Sequence, residues 1–307
     1  MSIEVATGLI YVGIVITGLC IGSFLNMVIA RVPLDLSIVK PRSRCPNCGH
    51  TLSWYENIPI FSWIALRARC RGCKQPISAR YPMVELLTGL LFWLCLHRFG
   101  LSAELVPALL LVGLLIPLTF IDLDHWLLPH VITIPGIFAG LAVSWLGGLH
   151  NFIACVIGAV TGFLVFWAME FIGEKIFKKE ALGGGDKFLL ALIGAFLTWK
   201  VLIGVIFLAS LQGAIFGIAM ILIHGRANTD VEPEKSEPEK PEADPKAEEA
   251  RPGEEEGEDD WVPGPTSIPF GPWLSVAALE LMFFGPRLGE LMGERLGPIV
   301  PMLLGTP

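Results

Sequence analysis

The stretch ELVPALLLVGLLIPLTFIDLDHWLLP, residues 104–129, decides how this chain folds. Residues 105–121 carry no charge, and an apolar run of this kind approaches the roughly 20 residues that a helix needs to cross a hydrocarbon core about 30 Å thick. A membrane barrel strand would alternate polar and apolar side chains. Here the apolar character is continuous, so the backbone satisfies its hydrogen bonds as helix. The run then stops on two carboxylates, Asp122 and Asp124.

Working outward, comparable runs recur at 7–30, 82–96, 130–146, 152–172, 187–199, 201–223 and 268–284. With 53% hydrophobic and 17% charged residues among 307, and a mean hydropathy of +0.63, an ordinary soluble enzyme is excluded. The expected fold class is an all-α polytopic membrane protein of about eight transmembrane helices. The run at 7–30 is too long for a signal-peptide core and has no small-residue cleavage site before the next polar stretch, so it is expected to persist as an anchor. The run at 187–199 is short enough to be re-entrant.

The formal charge of -7 hides two electrostatic regions. Residues 230–260 hold fifteen of the 29 Asp and Glu against four Lys and Arg, a net of -11, and the rest of the chain sums to +4. Rich in Pro and Glu and poor in large apolar side chains, that stretch has the composition of a disordered spacer, and it suggests no nucleic-acid role. Residues 31–80 instead carry nine Lys and Arg against Asp35 and Glu56. An excess of positive charge marks a cytoplasmic loop; counting crossings places 122–129 and 173–186 on the same side, in agreement with Lys175, Lys178 and Lys179. The expected organisation is an anchor at 1–30, a small cytoplasmic loop domain at 31–81, a membrane core at 82–224, an acidic linker at 225–266 and a C-terminal helix and tail at 267–307.

Within the basic loop, Cys45 and Cys48 form one CxxC pair and Cys70 and Cys73 a second, with 21 residues between the two. This is close to the spacing of a four-thiolate zinc ribbon. Gly49 and Gly72 stand beside the two knuckles and are expected to allow their tight turns. A segment of about 50 residues with so few aliphatic side chains cannot fold by burial alone, so metal ligation supplies the missing core. Four protein ligands leave no open position, which makes the zinc structural. Disulfides are the rival reading, which a reducing cytoplasm disfavours. Cys20, Cys95 and Cys155 fall in apolar runs and read as packing residues.

Ionisable groups at the edge of a span are costly and are candidates for function. Two motifs qualify: Asp122 and Asp124 at the end of the quoted stretch, and GGGDKFLL at 183–190, where Asp186 opens the run at 187–199. Helix capping is the structural alternative for Asp186, and interfacial solvation for Asp122 and Asp124. The chemical reading pairs one carboxylate from each motif across a shared proton, one activating water and the other polarising a carbonyl, as in aspartic proteases. No GxSxG elbow or HExxH helix offers a serine or metal alternative.

Taken together, GSFLNMVIARVP at 22–33, SRCPNCGH at 43–50, WYENIPIFSW at 54–63, ISARYPMVE at 77–85, the two aspartate motifs and IPFGP at 268–272 resemble the bacterial prepilin peptidases, also called type IV leader peptidases. The resemblance implies that Asp122, which precedes Leu128-Pro129 by the family's interval, and Asp186 of the GxGD motif are the catalytic pair. It also implies cleavage of a basic leader from prepilins or pseudopilins of type IV pilus or type II secretion systems. The cut falls after a glycine at the cytoplasmic face of the inner membrane, and S-adenosylmethionine then methylates the new N-terminal residue. Glu56 and Asn57, between the knuckles, are the polar residues expected to face that donor, because a sulfonium cation and an amine need acceptors; holding the loop against the membrane is their structural alternative. One departure from the family pattern is that Lys187 directly follows Asp186 and Phe188 takes the position where a lysine is commoner. Two other activities share some of these features. A general intramembrane GxGD protease would need the aspartates but no cysteine loop, and a proton-coupled transporter would place such acids nearer the bilayer midplane.

Overall fold

The computed structural model describes residues 3–177, 183–224 and 269–296. Its helices are α1 (Ile3–Arg31), α2 (Phe61–Ala65), α3 (Arg80–Phe99), α4 (Leu105–His125), α5 (His130–Ser144), α6 (Gly148–Phe177), α7 (Asp186–His224) and α8 (Gly271–Leu296). Among the described residues there are no strands, only the isolated bridges Arg44–Thr51 and Arg69–Pro76. The expected linker at 225–266, with Lys178 and Lys179, lies outside the described residues.

Among the described residues, five helical runs are long and apolar enough to cross a membrane: Glu4–Leu34, Arg80–Phe99, Leu105–His125, His130–Gly173 and Asp186–Ile223, with the shorter apolar Gly271–Gly285 in addition. The expected eight result from counting α8 and both halves of two composite runs. One run turns at Trp145–Gly147, where Gly148 takes φ 86 and Asn151 Nδ2 donates to Ser144 O at 2.9 Å. The other breaks inside α7 at Thr198 (φ 70, ψ 167). The first half of α7, about a dozen residues, rises only about 18 Å and is buried, with Leu189, Leu190, Leu192 and Ile193 fully enclosed. It is too short to cross alone, as a re-entrant segment would be.

Chain contacts divide the molecule into Met1–Gln212 with Pro269–Pro307, and Gly213–Ile268, whose described part is the last stretch of α7. In the first unit α4 is the central helix, packed against α1, α3, α5 and α8, with Leu111, Leu115, Leu118 and Ile121 wholly buried. Lipid offers no hydrophobic drive for helix association, so close approach depends on small residues. A Cβ on Gly22 of α1 would stand 2.7 Å from Glu85 Cα of α3, and one on Gly158 of α6 would overlap Gly194 O of α7. Large apolar side chains cover the outside, Leu9 and Val12 of α1 among them. The protein is a multi-pass membrane protein.

The cysteine loop hangs between the paired helices α1 and α3. Arg31, in the last turn of α1, donates to Ser37 O and Pro41 O, both at 2.8 Å, and so ties down the loop's beginning. Trp63 Nε1 donates to Ile77 O at 3.1 Å and holds its end; Trp54 and Tyr81 are exposed.

Candidate active site

Asp122 sits in the last turn of α4 and Asp186 in the first turn of α7; both are buried, at 5% and 6% exposure. Gly271, the first residue of α8, links them. A Cβ there would overlap Asp122 Oδ2 and stand 3.4 Å from Leu189 Cδ2, one turn beyond Asp186. Just before Asp186, a Cβ on Gly185 would approach Leu128 Cβ to 2.7 Å, so the glycine-rich segment lies directly on the chain that follows Asp122. Asp122 and Glu170 of α6 are the charged side chains whose fields reach Asp186. Asp122 Oδ2 is buried with no hydrogen-bond partner. An uncompensated buried carboxylate oxygen is expensive, and it is available to a water or a carbonyl entering the site.

Asp186 is not the cap of its helix. Phe188 N and Leu189 N donate to Gly185 O at 3.0 and 3.2 Å, which makes Gly185 the cap, and the Asp186 carboxylate turns back towards Gly183. Asp124 differs from its neighbour two residues earlier. It is one-third exposed and paired at 2.6 Å with Arg80 Nη1 of α3, whose other nitrogen donates to Phe120 O at 3.3 Å. Lys187 Nζ binds Glu170 Oε2 at 2.7 Å, and Phe188 packs edge-on against His130 and Phe163. Glu170 is therefore a part of this site that the motifs did not single out. Its only sequence signal was a lone acid inside an apolar run.

The four cysteines meet. Their sulfurs lie within 4.8 Å of one another, with Cys45–Cys73 at 3.8 Å and Cys48–Cys70 at 3.9 Å. Zinc–sulfur bonds of about 2.3 Å give a tetrahedron with edges of about 3.8 Å, so the cluster fits a tetrahedral metal ion. The knuckles superpose in their bonding: Gly49 N donates to Cys45 O at 2.9 Å and Lys74 N to Cys70 O at 3.0 Å. Backbone N–H groups of Cys48 and Asn47 draw the Cys45 thiol down to about 7, towards the thiolate that a metal requires. Gly49 takes the expected left-handed φ of 71, but in the second knuckle Lys74 does so at φ 60. Gly72 instead provides room, since a Cβ there would be 3.3 Å from Cys48 Sγ. Of the other cysteines, Cys95 and Cys155 are buried as packing residues, whereas Cys20 is exposed on α1.

Beside the cluster lies a cavity of about 990 Å³, lined from the loop by His50, Glu56 and Asn57 and from the helices by Ser23, Asn26 and Glu85. Glu56 is fixed by Ser53 N–H at 2.8 Å and by His50 Nε2 at 3.2 Å, with Arg71 Nη1 at 3.9 Å. Chiefly the Ser53 hydrogen bond, and then the His50 and Arg71 charges, hold its carboxyl below the usual carboxylate range against the effect of burial. Its Oε1 is buried without a hydrogen-bond partner. The volume lies at the upper end of small-molecule sites, and this oxygen can accept a donor or face a cation.

Two family profiles match the chain: the bacterial peptidase A24 N-terminal domain over residues 16–99 and the type IV leader peptidase family over residues 109–218. A prepilin leader peptidase/N-methyltransferase of Myxococcus xanthus is 53% identical over 319 residues, covering 95% of this chain and 94% of that protein. Proteins of the same name from Aeromonas hydrophila and Stutzerimonas stutzeri are 42% and 33% identical, over 73% and 89% of this chain and 86% and 90% of their own lengths. No solved structure matches.

Proposed function

The chain belongs to the type IV leader peptidase family, and on that premise we propose that Asp122 and Asp186 form its peptidase dyad and that the cavity beside the cysteine cluster receives its methyl donor. The chain is a membrane aspartic endopeptidase and N-methyltransferase acting on prepilins. Its substrates are prepilins or pseudopilins of a type IV pilus or type II secretion system, cut after a glycine at the cytoplasmic face of the inner membrane. The basic loop at 31–80 supports that orientation.

The observation carrying the peptidase reading is that two buried carboxylates from different helices are near enough for the charge of Asp122 to act on Asp186, with one Asp122 oxygen unpartnered beside Gly271. Two buried acids brought together in this way share a proton. The ionised partner takes a proton from the attacking water while the protonated one donates to the scissile carbonyl oxygen and afterwards delivers a proton to the departing amine. Gly183 and Gly184 leave side-chain-free backbone beside Asp186, against which an extended segment of substrate can lie. Asp124, neutralised by Arg80, braces α4 against α3 and takes no part in the chemistry.

The metal is zinc, held by Cys45, Cys48, Cys70 and Cys73, and it keeps the loop folded. S-adenosylmethionine supplies a methyl group activated by a positively charged sulfur; Glu56 Oε1 and Asn57 are the polar groups that hold it on the loop side of the cavity. The test is purified chain with a prepilin and an isotopically labelled donor, reading cleavage and methylation separately. Asp122→Ala and Asp186→Ala should abolish cleavage, and Glu56→Ala should abolish methylation with cleavage intact. Cleavage by both aspartate variants would end the peptidase reading.

A further inference from the structure

The cavity contains a second carboxylate that the reading above leaves unused. Glu85, in the second turn of α3, is 7% exposed and lines the cavity from the helix side, whereas Glu56 and Asn57 line it from the loop. The two acids are differently equipped. Glu56 has His50 and Arg71 beside it; among the described residues Glu85 has no ion-pair partner. A carboxylate buried at the end of a span without a counter-charge is costly, and it is retained where a cation comes to it.

The surroundings hold Glu85 in one orientation. Its Oε2 accepts from Ile60 N–H at 2.7 Å. To present that N–H, Ile60 takes φ 59 and ψ -50, a conformation that a β-branched residue rarely adopts. Behind it, α1 packs against the same turn through Gly22, where a Cβ would come within 2.7 Å of Glu85 Cα. One helical turn before Glu85, Asn26 Nδ2 of α1 donates to Tyr81 O at 3.0 Å and closes the gap between the two helices. Arg80, five residues before Glu85, is the residue paired with Asp124 beside the aspartate site. The helix-side wall of the cavity is thus braced directly to the element that carries Asp122.

From this arrangement, and resting on the methyl-transfer reading, we infer that Glu85 receives the newly released N-terminal amine of the cleaved substrate and is the acceptor of its proton. The amine leaves the dyad as an ammonium on a helix that stays in the bilayer, so it enters the cavity from the side of α1 and α3. A donor from the cytoplasm enters from the loop side. Glu85 takes one proton from the ammonium. The freed nitrogen lone pair forms the new N–C bond as the sulfur–carbon bond breaks, and that bonding pair stays on sulfur, turning the sulfonium into a neutral thioether. The product is a secondary ammonium beside a Glu85 carboxyl that now holds the proton, and Glu85 passes that proton to water before the next turnover. Placing an acid on each wall lets two cations approach one another against opposing negative charge.

The experiment uses the full-length zinc-loaded chain in detergent, Glu85→Gln and Glu56→Gln, with an already cleaved pilin peptide and S-adenosylmethionine or its demethylated product. For Glu85→Gln the expected result is a methylation kcat/KM lowered about 10²-fold or more, a cleaved-peptide affinity weakened about tenfold in direct binding, and unchanged affinity for the demethylated donor and unchanged prepilin cleavage. Glu56→Gln should lose donor affinity instead. Normal methylation and peptide binding by Glu85→Gln would overturn the inference. So would a loss of donor affinity in that variant, which would make Glu85 a donor ligand. Should Glu85→Gln also lose cleavage or zinc, Glu85→Asp decides: methylation recovered in part supports the inference, and none recovered in a variant that cleaves normally overturns it. Failure of wild-type protein to bind the donor at all would instead remove the methyl-transfer reading beneath it.

Discussion

The two ends of the working surface are built by opposite means. At the aspartate site, position comes from packing: Asp122 and Asp186 are brought together because Gly185 and Gly271 let backbones approach, and neither acid has an ion-pair partner among the described residues. In the cysteine loop, position comes from directed bonds. Four thiolates converge, Glu56 is held by Ser53 and His50, and Arg31 ties the chain to its helix. Each leaves one buried carboxylate oxygen without a hydrogen-bond partner, Asp122 Oδ2 and Glu56 Oε1, and packing serves where lipid gives close helix contacts their advantage. Directed bonds keep a loop in shape where there is too little apolar surface to bury.

That contrast can be broken most severely at the dyad. Asp122→Asn and Asp186→Asn should each lower the cleavage rate by about 10³-fold or more, measured by loss of the leader on a gel, while methylation of a pre-cleaved peptide continues. Equal loss of both activities would mean that the two regions are one site. Next in size is the loop: Cys45→Ser, or stripping with a strong chelator, should take the metal content from about one equivalent to under about a tenth and abolish methylation, while the aspartates keep a larger share of cleavage. Elemental analysis and the two assays check this. Gly271→Ala tests packing alone. The added methyl overlaps Asp122 Oδ2, and a displacement of about an ångström should cost about 10²-fold in cleavage with metal content unaltered. Smallest is Asp124→Asn, which removes a partly exposed ion pair worth about 0–1 kcal/mol and should leave cleavage within a few-fold, read in the same assay and by melting temperature.

Much of this was legible in the residues. Continuous apolar runs marked the helices, and the CxxC spacing marked the cluster, because both signals are local and periodic. The choice of Asp122 over Asp124 rested on resemblance, and the structure adds a physical difference: one acid is buried with an oxygen that has no hydrogen-bond partner and the other is neutralised by Arg80, which lies more than forty positions earlier. Lys187 could not be assigned a direction until Glu170, seventeen residues before it, was found against its ammonium group. Glu85 passed unnoticed inside a recognised motif, since nothing nearby in sequence shows that it faces the same cavity as Glu56. The reading of Gly72 as a turn glycine failed because glycine serves two purposes, left-handed φ and absence of bulk, and sequence does not separate them.

By itself, then, the sequence determined the class of protein, the four cysteines that cluster and the two short motifs that bear the acids, since hydropathy and CxxC spacing are properties of neighbouring residues. Only the tertiary structure decided which acid is ion-paired and which is not, where α7 breaks, and that two carboxylates from different segments line one cavity. Those depend on which backbones can touch. In a bundle of apolar helices that is settled by a handful of glycines whose partners lie far away along the chain.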